Sequence, residues 1–187
     1  MIDRLPPLPP EEWDAAQREA AEELMRGPRG AVLPPFVPLL RSPELMTHAQ
    51  RMGAYLRYRS AIGQRLSELA ILVTARQWSQ RVEWAIHAPI ALEAGIAQAT
   101  IDAIASGRRP GDMPADDALV HDFCVELHTH QSVSDATWQA AVVRFGERGA
   151  VDLVALTGYY TLLSMVMNAA RTAVPDSPAA PLEPLTP

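Results

Sequence analysis

The sequence predicts an all-α protein, and three observations carry that reading. Apolar residues recur at helical spacing, most clearly at Leu66, Leu69, Ala70 and Val73. Helix starts and stops punctuate the chain, with Ser42-Pro43-Glu44 and Ser134-Asp135 as starts and Gly95, Gly107 and Gly149 as stops. No stretch alternates as a strand would, and no repeat has a solenoid period.

From the N-terminus, residues 1–10 are rich in proline and predicted to run extended along the surface. Glu11 to Arg26 reads as a helix with acidic residues in its first turn, where the dipole favours them. Gly27 to Pro38 is a loop broken by Pro28, Gly30, Pro34, Pro35 and Pro38. At Ser42-Pro43-Glu44 a serine caps and a proline occupies the first helical position. That helix is expected to reach about Arg59, with Leu45, Ala49, Met52, Leu56 and Tyr55 on its apolar face. Gly63 separates it from the stretch Arg65 to Gly95, which reads as two antiparallel helices with a break near Trp78-Ser79. Ser79 is the predicted N-cap of the second of these and Gly95 its stop, with a kink at Pro89, which crowds the carbonyl of Ala85. Ala97 to Ser106 is a short helix, and Ala115 to Gln131 a longer one. A helix capped by Ser134 runs through Glu147 and stops at Gly149, and an apolar helix follows from about Val151 to Ala170. From Pro175 a proline recurs every third residue, so 175–187 reads as an extended or disordered tail on a single domain of residues 1–174.

Composition narrows the function classes. A chain of 187 residues, 48% hydrophobic, is enough for one core. A formal charge of −6 and a pI near 5.3 oppose a nucleic-acid footprint. The single cysteine, Cys124, allows no intrachain disulfide and suits a reducing, cytoplasmic location. The N-terminus lacks the basic and apolar regions of a signal peptide. Leu153 to Ala170 holds no charge and approaches the length of about 18 residues that suggests a membrane span. Its Thr157, Gly158, Thr161, Ser164 and Asn168 favour a helix buried in a core or a subunit interface.

The chemistry concentrates in the central helix pair. Glu83 and His87 are four apart on one helix and share a face. Folding back near residue 78 brings Glu68 level with both. Two carboxylates and an imidazole in an apolar helix pair are expensive to bury without partners. His87 is the candidate general acid or base, because its ordinary pKa lies near neutrality. The bland alternative is a surface Glu–His pair. Arg76 and Arg81 are candidate carboxylate anchors, since guanidinium grips carboxylates bidentately, although surface arginines are commoner. Trp84 is a candidate pocket wall, as are Tyr58, Tyr159 and Tyr160, with simple packing the alternative. In HDFCVELHTH, Asp122, Glu126 and His130 recur every four residues, but the spacing is not a zinc signature and the helix's polar face explains it better. No metal is expected, and Cys124 falls on the apolar side.

The R-x-x-E-L-A-I-L run around Glu68 and the E-W-x-x-H run from Glu83 to His87 resemble the carboxymuconolactone decarboxylase family, which includes the alkylhydroperoxidase D-like proteins. LPPFVPLLRSPEL (33–45), RLPPLPPEEW near the start and FGERGAVDLVALTGYY (145–160) extend the resemblance over most of the chain. It implies an orthogonal helix bundle of the alkylhydroperoxidase D-like type and a homotrimer or homohexamer. In the peroxidase branch a Glu is followed by C-x-x-C and a His. Here Glu68 and His87 match, but Gln80 and Glu83 stand at the cysteine positions, so thiol–disulfide chemistry does not carry over. The resemblance therefore implies a cofactor-free lyase acting on a small cyclic or unsaturated carboxylic acid such as 4-carboxymuconolactone. In that expectation His87 donates the proton, Glu83 is its partner or a second acid, Glu68 orients the ring, and Arg76 and Trp84 bind substrate. The rivals are a peroxidase-like oxidoreductase of the same superfamily and a non-catalytic oligomeric binding protein.

Overall fold

The computed structural model describes residues 2–183, and among them the only regular secondary structure is helical. Seven helices follow in order: α1 (Ala15–Arg26), α2 (Pro43–Tyr58), α3 (Gln64–Gln77), α4 (Arg81–Glu93), α5 (Gln98–Ala105), α6 (Ala115–His130) and α7 (Asp135–Ala170). Short 3-10 turns precede α1 and link it to α2.

α3 is the hub. It packs against α4, α6 and α7, and less extensively against α2 and α5. Every residue from Leu66 to Arg76 is buried, so the helix is enclosed on all sides. A helix so placed must find partners for its polar residues. Thr74 donates to the Ala70 carbonyl within α3 at 2.9 Å, and Arg65 at its start pairs with Asp117 of α6 at 2.6 Å.

The turn between α3 and α4 departs from expectation in one respect. Ser79 does not cap α4; it takes a left-handed conformation, φ 46°, just past the end of α3. Its amide reaches the Arg76 carbonyl and the Gln80 amide reaches that of Ala75, which closes α3. Gln80 is the cap of α4 instead, its side-chain oxygen accepting from the amides of Val82 and Glu83. At the other end Gly95, φ 92°, closes α4 as its sequence position implies, with Ile96 buried behind it.

Other boundaries move for readable reasons. α1 begins at Ala15 because Asp14 and Gln17 form a reciprocal capping box, and Glu11 lies in a separate 3-10 turn. α2 starts at Pro43, but the Ser42 side chain makes no capping bond. Its buried face is Met46, Ala49, Gln50, Gly53 and Leu56, which leaves Leu45 and Met52 exposed. The stop expected at Gly149 falls instead at Gly146, whose φ of 72° breaks α7 into two stretches. Gly149 lies inside the second stretch, where an added Cβ would collide with Phe145 and touch Ala61.

α7 is the one helix among the described residues with the length and composition to cross a membrane, and 56% of its apolar window is buried inside the protein. Leu153, Leu156, Tyr159, Tyr160, Leu163 and Met167 form its core side. Asp152 on that side accepts from the Tyr55 hydroxyl and from the Ala61 amide, both at 2.8 Å, tying α7 to the α2–α3 connection. Of the proline-rich tail, residues 175–183 are described. They run without helix across α4 and α5, with Leu182 buried. Pro184 and Pro187 lie outside the described residues.

Candidate active site

Three residues singled out from the sequence meet inside the protein. His87 is 3% exposed, Glu83 1% and Glu68 0%, so the surface-pair alternative does not apply. His87 Nδ1 donates to Glu68 Oε2 at 2.5 Å across the α3–α4 interface. On the other side of the ring, Nε2 lies 3.3 Å from Glu83 Oε2, the contact expected at that helical spacing. The imidazole is thus held between two carboxylates.

The two carboxylates differ in their surroundings. Glu68 has a second partner: Arg57 Nε, at the end of α2, donates to its Oε1 at 3.2 Å. Glu83 has none, since the Nε2 contact is not aligned as a hydrogen bond and neither carboxylate oxygen has another partner. Tyr160 stands edge-on to the imidazole at 5.2 Å, and Tyr159 edge-on to Tyr160 at 5.3 Å. The Tyr159 hydroxyl is also buried without a partner. It lies so close to Gly53 that a Cβ there would strike it.

These surroundings set the protonation states. Burial pushes the His87 imidazole down, but the charge and hydrogen bond of Glu68, then the nearby Glu83 carboxylate, outweigh it and hold it above its usual 6.5. Burial pushes the Glu68 carboxyl up, and His87 and Arg57 together bring it below its usual 4.5. Burial raises the Tyr160 hydroxyl far above its usual value, with the Glu83 charge adding to the rise. These surroundings favour the charged ring, with Nδ1 fixed on Glu68 and Nε2 turned toward Glu83 without an aligned hydrogen bond.

Glu83, His87, Tyr159 and Tyr160 line a narrow pocket together with Arg29, Arg57 and the loop residues Leu33, Pro35 and Phe36. Its volume of about 20 Å³ matches one water molecule. The two guanidiniums at this pocket are not those the sequence pointed to. Arg76 is buried elsewhere, donating to the carbonyls of Ala105 (3.0 Å) and Glu183 (2.7 Å) and to Ser79 Oγ. Trp84 faces the C-terminal segment, beside a cavity of about 210 Å³ bounded by Pro178 to Pro181. Arg81 flanks a second cavity along the same segment. Arg57 and Arg29 lacked any local signal, one ending α2 and the other in a proline-rich loop.

The HDFCVELHTH cluster is dispersed. Glu126 accepts from the Ser134 amide and the Thr137 hydroxyl at the start of α7, Asp122 pairs with Arg109 and His121, and His128 meets Thr74. No three metal-ligating side chains converge among the described residues. Cys124 is enclosed beside Thr157, and burial pushes its thiol up to about 12. No family model matches the chain, and no curated protein is significantly similar to it.

Proposed function

We propose that this protein is a cofactor-free decarboxylase-like lyase acting on a small cyclic or unsaturated carboxylic acid, such as 4-carboxymuconolactone. The observation that carries the reading is the buried His87 imidazole, clamped by Glu68 and lining a pocket with Glu83. Loss of CO2 leaves an electron pair on carbon, which an unsaturated lactone delocalises before a proton is delivered. His87 Nε2–H is the donor in this scheme. Glu68 holds the ring through Nδ1 and stabilises the charged form beforehand. Glu83, free of other partners, returns a proton to Nε2 from water or acts as the second acid. The neighbouring guanidiniums of Arg57 and Arg29 take the anchoring role first given to Arg76. The pocket as it stands holds one water, so in this scheme the loop bearing Leu33, Pro35 and Phe36 moves aside to admit the substrate.

The scaffold is then an orthogonal bundle of the alkylhydroperoxidase D-like type. The peroxidase-like alternative has little support in the site: Gln80 is spent on capping α4 and binding Asn168, and the only thiol is enclosed. We further propose a homotrimer or homohexamer, supported by Val151, Val154 and Met165, which α7 leaves exposed along one side, and a cytoplasmic location, in keeping with the single cysteine. Light scattering giving a monomer mass at micromolar concentration contradicts the assembly.

The test of the activity is loss of 4-carboxymuconolactone followed by NMR, with wild type and His87→Ala side by side. Turnover in the wild type that falls by about 100-fold or more in the variant supports the reading. Equal turnover in both removes His87 from the mechanism, and no turnover in either removes this substrate.

A further inference from the structure

The helix that bears Glu83 and His87 has a proline in its interior, and the residue whose carbonyl that proline disables lies between them. Pro89 has no amide to give the Ala85 carbonyl four residues back. A backbone carbonyl left unpaired inside a protein is unfavourable, so a donor is required from elsewhere. It comes from far along the chain. Ser177 Oγ donates to the Ala85 carbonyl at 2.7 Å. The Ala179 amide donates in turn to Ser177 Oγ at 3.1 Å, which occupies a lone pair and aims the hydroxyl hydrogen at Ala85.

The segment that delivers Ser177 is secured on both sides. The Ala173 amide donates to Asp3 at 3.2 Å. Leu182 is buried, and Arg76 of α3 donates to the Glu183 carbonyl at 2.7 Å. Arg76 therefore clasps the segment from the same helix that supplies Glu68. The chain passes from α3 through this clasp to Ser177 and back to α4, so both walls of the His87 clamp are braced by it.

We infer that Ser177 is a positioning residue, whose hydroxyl stands in for the amide missing at Pro89 and fixes the turn of α4 that holds His87 against Glu68. The inference concerns the geometry of His87 and holds whatever reaction the site performs. The ring's place is sensitive to that turn, because a 2.5 Å contact on one side and a 3.3 Å contact on the other leave little slack.

The test uses the full chain in four forms: wild type, Ser177→Ala, Pro89→Ala and the double variant. Two quantities are read: the His87 imidazole titration by NMR, assigned with a His87→Gln control, and the melting temperature. Ser177→Ala is expected to lower Tm by about 2–4 °C. It is also expected to move the His87 midpoint down toward the ordinary imidazole value as the Glu68 contact loosens. Pro89→Ala restores the amide at 89, so in that background Ser177→Ala changes neither quantity. Ser177→Thr keeps the hydroxyl and retains the wild-type titration. A fall in Tm with an unmoved His87 midpoint overturns the inference, leaving a merely structural strap. An effect of Ser177→Ala that persists undiminished in the Pro89→Ala background also overturns it, because the hydroxyl then acts through another group. Should Pro89→Ala fail to fold, Ser177→Ala against Ser177→Thr decides: the inference fails if both displace the midpoint equally.

Discussion

Glu68→Gln removes the charge at the centre of the clamp and keeps the shape. In the wild type, Glu68 is fully buried and accepts from His87 Nδ1 at 2.5 Å and from Arg57 Nε at 3.2 Å. Breaking a buried pair by removing one partner costs about 3–5 kcal/mol, because a charge is left uncompensated. The glutamine oxygen still accepts one of the two bonds, which places the loss near the lower figure, about 3 kcal/mol. For a protein of this size that is a fall in Tm of about 6–12 °C. The pH dependence follows from the two shifts. Glu68 is lowered in the folded state, so its contribution is present above 4.5 and is lost as pH falls through the folded value. His87 is raised, so its contribution is complete below 6.5 and is lost as pH rises through the folded value. The difference between wild type and variant is therefore widest between pH 4.5 and 6.5. Thermal unfolding followed by circular dichroism across pH measures it. A variant that melts within about 2 °C of wild type throughout that window refutes the idea that Glu68 holds an imidazolium.

Glu83→Gln is expected to alter stability by no more than about 1 kcal/mol, since it removes a buried charge that has no hydrogen-bond partner, while turnover falls by about 100-fold. Melting and turnover measured together check this; a large loss of stability with full turnover reverses the roles of the two glutamates. Gly53→Ala drives a methyl group into the Tyr159 hydroxyl and is expected to cost about 1–3 kcal/mol, read by denaturant unfolding. An unchanged unfolding midpoint shows that Tyr159 swings away freely. Cys124→Ala leaves a small void in a closed site, so stability drops by about 1–2 kcal/mol and turnover stays at the wild-type level. Turnover lost in that variant, or by alkylation of the native protein, restores the thiol-based rival.

Local spacing made part of this site legible. Glu83 and His87 share a face by helix geometry alone, and the fold-back near Trp78 places Glu68 opposite them whichever residue does the capping. What remained hidden depends on contacts between segments distant in sequence. Arg57 reaches Glu68 because Gly63, φ 79°, reverses the chain between α2 and α3, and nothing in the surrounding residues announces that direction. Arg29 reaches the pocket from a proline-rich loop with no periodicity at all. The same limit explains the misjudged face of α2: Leu45 and Met52 have helical spacing, but α1 and α7 cover the adjacent side. Glycine signals were ambiguous for a different reason. Gly146 and Gly149 look alike in sequence, one serving as a conformational break and the other as room for Phe145 and Ala61. Arg76 read as a candidate carboxylate anchor or a surface arginine because the segment that occupies it lies more than a hundred residues away.

The most direct test compares two curves on one preparation: the NMR titration of the His87 imidazole, and turnover of 4-carboxymuconolactone against pH. A proton donor held charged by Glu68 and Glu83 predicts that turnover falls on the alkaline side, above 6.5, with the midpoint at which His87 loses its proton. Turnover that continues unchanged after His87 has become neutral contradicts the account.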